Sequence, residues 1–144
     1  MAARLATMSL VNPQRVRRVS RVGVVVVALL LAVASLWPRP PGTGPGIPVV
    51  TDKHLHFAGY TALGAVAVWA VGREPRRIAL AVALAAGYGL ALEVGQLPLA
   101  TRSFSLLDQL ANTAGALVGG TTAWLTRRRL VGRREAARRE GSVD

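Results

Sequence analysis

Three short stretches carry most of the chain's candidate chemistry. The first is "DKHLH", with Asp52, Lys53, His54 and His56, followed one helical turn later by Tyr60. The second supplies Glu93 and Gln96, and the third Arg102, Asp108 and Asn112. Lysine, arginine and protonated histidine suit a phosphate or carboxylate, arginine through two parallel hydrogen bonds. The carboxylates and amides suit the orienting of those cations and the recognition of sugar or amide groups. A second chemistry uses the same residues: His56 as a base oriented by Glu93 or Asp108, activating water against a phosphoester or acyl bond. The chain has no cysteine, which removes disulfides, thiolate zinc sites and cysteine nucleophiles. No activated-serine signature, metal-binding repeat or glycine-rich phosphate loop occurs. His54 and His56 are two residues apart and diverge on a helix, so no His-x-His chelate forms. No metal or cofactor is expected.

The elements that must position these groups are apolar. Hydrophobic residues make up 51% of the 144, while the formal net charge is +11. Mean hydropathy is +0.37. The two properties are segregated into apolar blocks bounded by arginine clusters, which predicts an all-α membrane protein, a four-span helix bundle. The predicted spans are 22–37, 55–71, 78–96 and 106–125. The first is short against the ~20 residues a bilayer requires, and Arg18 and Arg21 extend it by snorkelling. No segment alternates with period two as a membrane barrel demands. The connection 38–51 has five prolines in its first eleven residues and reads as extended. The connections 72–77 and 97–105 read as tight turns. The predicted organisation is a basic N-terminus 1–21, the first span, the Pro/Gly-rich loop, a three-helix core 52–125 and a basic tail 126–144.

Fifteen of the 18 basic residues fall at the N-terminus, in 72–77 or after the last span. Arg39, Lys53 and Arg102 fall on the other side. Both termini are therefore expected in the cytoplasm, with the protein multi-pass in the plasma membrane. Trp37 marks an outer span end, and Trp69 and Trp124 mark inner ends. Arginines placed at span ends serve topology, so no nucleic-acid partner is expected; the tail "RRRLVGRREAARRE" reads as an anchor on anionic lipid. The first segment has a second reading, a cleavable signal peptide with "AVA" at 32–34. Span two begins outside in either case.

In this topology the polar residues gather at one depth on the outer side, and helical phase groups them. Asp108, Asn112, Gly115 and Gly119 share a face. So do Gly89, Glu93 and Gln96, and so do His56, Tyr60 and Gly64. Gly115 to Gly119 is a GxxxG, which permits close helix approach. Helices meeting along these stripes would enclose a polar, outward-facing pocket. Plainer readings apply to several positions. Thr51 or Asp52 could cap span two, and "SLLD", 105–108, matches a capping box. His54 is solvated. Asn112 could be interhelical glue.

The three stretches together resemble the VanZ-like family, named for a component linked to resistance to the glycopeptide teicoplanin. Its first block, D-K-x-x-H-F-x-x-Y-x-x-L-G, is matched by "DKHLHFAGYTALG", placing Asp52, Lys53, His56, Phe57 and Tyr60 on it. Its second, E-x-x-Q, is matched by "EVGQ" with Glu93 and Gln96. Its third, G-R-x-x-x-x-x-D-x-x-x-N-x-x-G, is matched by "TRSFSLLDQLANTAG", with Arg102, Asp108, Asn112 and Gly115. Thr101 stands where the pattern has glycine. The likeness covers about residues 50–120; the first span and both tails carry no signal of it. It implies a small multi-span protein of the cell envelope with a role in glycopeptide tolerance or cell-wall lipid chemistry.

The leading expectation is binding, with membrane lipid, a lipid-linked cell-wall precursor or a glycopeptide as partner. The candidate ligand-binding residues are Asp52, Lys53, His56, Tyr60, Glu93, Gln96, Arg102, Asp108 and Asn112. An intramembrane enzyme and a scaffold locked by a buried ionic network are the alternatives.

Overall fold

The computed structural model describes residues 12–37, 49–99 and 104–140. Among them are four α-helices and no strand: α1 (Pro13–Leu36), α2 (Val49–Ala70), α3 (Pro75–Gly95) and α4 (Leu106–Glu140). Each helix reaches beyond the apolar block that announced it. Pro13 at the first helical position and an Asn12 side chain accepting from the Gln14 amide, 2.9 Å away, start α1 nine residues ahead of the predicted span. Its 24 residues take in Arg18 and Arg21 ahead of the apolar stretch. Helix α2 starts at Val49. Asp52 therefore lies inside the first turn, where its charge suits the helix dipole, and does not cap the helix as one reading of the sequence had it. Helix α4 continues without a break through the arginine-rich tail to a length of 35 residues, in keeping with the helix propensity of Arg, Ala and Glu.

The directions of the helices follow from their contacts. Lys53 meets Asp108, His56 meets Asn112, and Arg127 meets the Val68 carbonyl, so partners advance together and α2 and α4 are parallel. By the same test Tyr88 to Ala28 (2.8 Å) and Gln96 to Ser35 (3.0 Å) make α1 and α3 parallel. Gly23 beside Val66 and Gly59 beside Leu31 set α1 against α2 in the opposite sense. The chain therefore runs up, down, up and down, as short connections favour.

The packing is small inside and large outside. The buried apolar side chains are mostly alanine, with Tyr60, Leu63, Val68 and Leu92. Val25, Leu29, Leu30, Leu84 and Leu117 are instead among the large apolar side chains that stay exposed, 24 among the described residues. Two helices, α1 and α3, are long and apolar enough to cross a membrane. Helices α2 and α4 are long enough, but they carry the polar side chains of two of the three motifs.

The closest approach is between α2 and α4. Gly115 faces the carbonyl of Phe57, Gly119 that of Thr61, and Gly64 that of Ala116, each so near that a Cβ would overlap the backbone opposite. Gly119→Ala is therefore expected to separate the two helices and lower the thermal midpoint of the purified protein. Gly87→Ala is the control. Nothing lies within 4 Å of that position, so alanine there should gain up to about 1 kcal/mol of helix propensity. Equal midpoints for the two variants would contradict the backbone contact.

Candidate functional site

The glycine contact sets the rotation of α2 against α4, and the polar side chains follow from it. One turn before the contact, His56 Nδ1 lies 2.9 Å from Asn112 Oδ1. One further turn out, Lys53 Nζ donates to Asp108 Oδ1 at 2.7 Å. An amide oxygen only accepts, so Nδ1 of the neutral ring carries the proton and Nε2 keeps its lone pair. Asn112 is 1% exposed and Asp108 8%, whereas His56 and Asp52 are half-buried and the Lys53 side chain is 28% exposed. The floor of the cluster is sealed, while its rim of Lys53, His56 and Asp52 keeps exposed surface.

Helix α3 brings the third component. Glu93 is 1% exposed, and its Oε2 accepts from the Ser105 backbone amide at 2.9 Å. Ser105 in turn caps α4: its Oγ accepts from the Asp108 amide at 3.2 Å. The capping box read from "SLLD" is thus half made. In a complete box the carboxylate of Asp108 would return to the Ser105 amide. Glu93 takes that place, and the Asp108 carboxylate is left for Lys53. One cap therefore ties α3 to α4 and an ion pair ties α4 to α2.

Gly89 makes the approach possible, since a Cβ there would press on both Asn112 and the Tyr60 ring. Tyr60 is 1% exposed, and its hydroxyl has no hydrogen-bond partner among the described residues; the same holds for Gln109 Oε1. Gln96 is buried but turned away from the ion pair, donating to the Ser35 carbonyl of α1. Tyr88, which no sequence signal singled out, makes a matching tie to Ala28. Both secure α1 to α3. Arg102 lies outside the described residues, as do Thr101 and Ser103. Of the nine candidate residues, Lys53, His56, Asp108 and Asn112 are joined in pairs, Glu93 is joined to their helix cap, and Tyr60 lies beneath.

Asp52, His56 and Asp108 also place one possible ligand atom each within 4.8 Å of one another. Two carboxylates and an imidazole are a donor set for a divalent transition metal. The Lys53 ammonium already supplies positive charge to Asp108, so a cation there would have to displace it.

These features define a class: an all-helical protein with outward-facing apolar side chains and a polar cluster built at one end by three helices. Residues 30–127 match the VanZ/LLP1 family, and the chain belongs to that family. The match begins inside α1, so it takes in part of the first helix as well as the three motifs. No curated protein and no solved structure matches the chain.

The Lys53–Asp108 pair is testable by a double-mutant cycle. Asp108→Asn or Lys53→Met alone should each cost about 1–3 kcal/mol, because either leaves a half-buried charge or donor unmatched. The double variant should recover part of that cost. Strictly additive losses would show that the pair does not couple.

Proposed function

We propose that this VanZ/LLP1 protein spans the membrane four times with both termini cytoplasmic. In this reading the polar cluster opens outward and receives the polar head of an envelope amphiphile: a lipid, a lipid-linked cell-wall precursor or a glycopeptide. Three features support the spanning arrangement. Large side chains face out and small ones in, as expected where lipid is the solvent. Asp108 and Arg127 are roughly 28 Å apart along α4 at 1.5 Å per residue, close to the thickness of the hydrocarbon core. The arginine clusters of 72–77 and of the two terminal regions fall on one side of such a bundle.

One observation carries the binding reading: among the described residues the cluster is sealed on its inner side and keeps exposed surface on its outer side. A purely structural lock gains by sealing its ions. Here Asp108, Asn112 and Glu93 are sealed, but Lys53, His56 and Asp52 retain solvent-facing surface. Lys53 and Arg102 would meet phosphate or carboxylate, while Glu93 and Asp108 hold the surrounding backbone and cation in place. A role in glycopeptide tolerance fits such a site, through capture of the antibiotic or of the lipid it targets.

A second reading, hydrolysis of a lipid-linked phosphoester or acyl group, is favoured by the His56–Asn112 bond. With the ring neutral, a proton on Nδ1 in that bond leaves the lone pair of Nε2 to act as a base.

Lipids and glycopeptide co-purifying with wild type, Glu93→Gln and Arg102→Lys separate these ideas. Glutamine can still accept from the Ser105 amide, so Glu93→Gln should reach the membrane at normal abundance. Binding predicts loss of the bound amphiphile in both variants, with any teicoplanin tolerance lost alongside. Disappearance of both proteins from the membrane would instead indicate a scaffold. Retained ligand with abolished turnover in His56→Ala would indicate catalysis.

A further inference from the structure

The opposite end of the helices holds a second concentration of charge that the polar cluster does not use. A cavity of about 850 Å³ opens between α1, the α2–α3 turn and α4. Arg17, Arg73, Arg77 and Arg127 line it, with Glu74 as the one acid among its lining residues. Glu74 is already taken, its Oε2 accepting from Arg77 Nε at 2.8 Å. Among the described residues no carboxylate pairs with Arg17, Arg73 or Arg127. Four helix-borne or turn-borne guanidiniums thus converge on one space with a single neutralising charge.

Arg127 is fixed in place. It donates to the carbonyls of Val68 and Val71, and its guanidinium lies 5.4 Å from the centre of the Trp69 ring. Burial, and after it the charges of Arg73 and Arg17, hold its pKa below the ordinary value. Arg17 and Arg73 line the same cavity as Arg127, so these like charges repel one another there. An anion bound between them would relieve that repulsion.

The surroundings say what kind of anion. Directly along the helices lies an apolar cleft of about 480 Å³ between α1, α2 and α3, lined by Val24, Ala28, Leu63, Ala67, Ala85 and other apolar groups. The two spaces are bordered by neighbouring residues of the same helices. Arg17 borders the basic cavity and Arg21, one turn on in α1, borders the cleft; Gly72 and Val71 stand in the same relation at the end of α2. A charged mouth followed along the helices by an apolar cleft matches a charged head and an acyl chain. A free inorganic ion would leave the cleft unused.

We propose that this cavity and cleft form a binding site for an anionic phospholipid, its phosphate on Arg17, Arg73 and Arg127 and one acyl chain between α1 and the α2/α3 pair. The site is independent of the ligand read for the polar cluster. Arg127 positions the charged mouth and braces α2 at once; Arg17 and Arg73 are exposed and can be changed without disturbing a helix.

The full chain, purified in mild detergent, is exposed to phosphatidylglycerol or phosphatidylcholine, and retained lipid is counted by native mass spectrometry. Wild type should retain phosphatidylglycerol in preference. The Arg17→Gln/Arg73→Gln variant should bind it roughly tenfold less tightly or worse, as expected for two arginines at a lipid phosphate. The Arg129→Gln/Arg133→Gln variant removes equal charge outside the cavity and should behave as wild type. Ala67→Leu, which narrows the cleft and keeps every charge, should also lose lipid. Three results would overturn the proposal: equal retention of the two lipids, equal loss in both arginine double variants, or displacement of phosphatidylglycerol by millimolar inorganic phosphate with Ala67→Leu unaffected.

Discussion

The contact of the α2 and α4 backbones is the constraint from which the rest of the structure follows. Gly64, Gly115 and Gly119 place main chain against main chain, and at that separation neither helix can rotate without steric overlap. The register is thereby narrowed to one in which Lys53 reaches Asp108 and His56 reaches Asn112. A looser interface filled with leucine would leave both the rotation and the pairing undetermined. Small residues would matter all the more with lipid around the helices, since hydrophobic gain from association is then small and close packing must supply the attraction.

The polar cluster then acts as more than a set of ligands waiting for a partner. Glu93 completes the cap of another helix, which is why a carboxylate can be 1% exposed beside Asp108. The arrangement separates duties by depth. Glu93 and Asn112 satisfy the interior, and Lys53 and His56 link that interior to solvent. Gln96 and Tyr88 perform a different task, tying α3 to carbonyls of α1, Gln96 near the end of that helix and Tyr88 about two turns deeper. The motif E-x-x-Q thus divides its residues between two interfaces, one face toward α4 and one toward α1.

Much of this was legible in the sequence, for identifiable reasons. Spacings of three and four residues placed Glu93 with Gly89, and Asp108 with Asn112 and the glycines, and each of those positions is buried. The apolar blocks located all four helices. What they could not locate were the helix ends, because hydropathy reports the lipid-like stretch and helices end at caps. Asn12 and Pro13 start α1 inside a charged region, and the arginine-rich tail prolongs α4 because arginine, alanine and glutamate favour helix. Pairing was the other gap. Sequence phase gives the face of a residue but not its partner, so the Glu93–Ser105 bond and the Tyr88 tie had no one-dimensional signal. The capping box was half legible for the same reason, its second partner coming from a different helix.

The length of α4 has a mechanical implication. Thirty-five residues make an unbroken rod of about 52 Å at 1.5 Å per residue. The floor of the polar cluster sits in its first two turns and the arginine tail at its far end. Such a rod places the carboxylate that holds Lys53 and the arginine tail on one continuous element, so a tilt imposed at either end would displace the other.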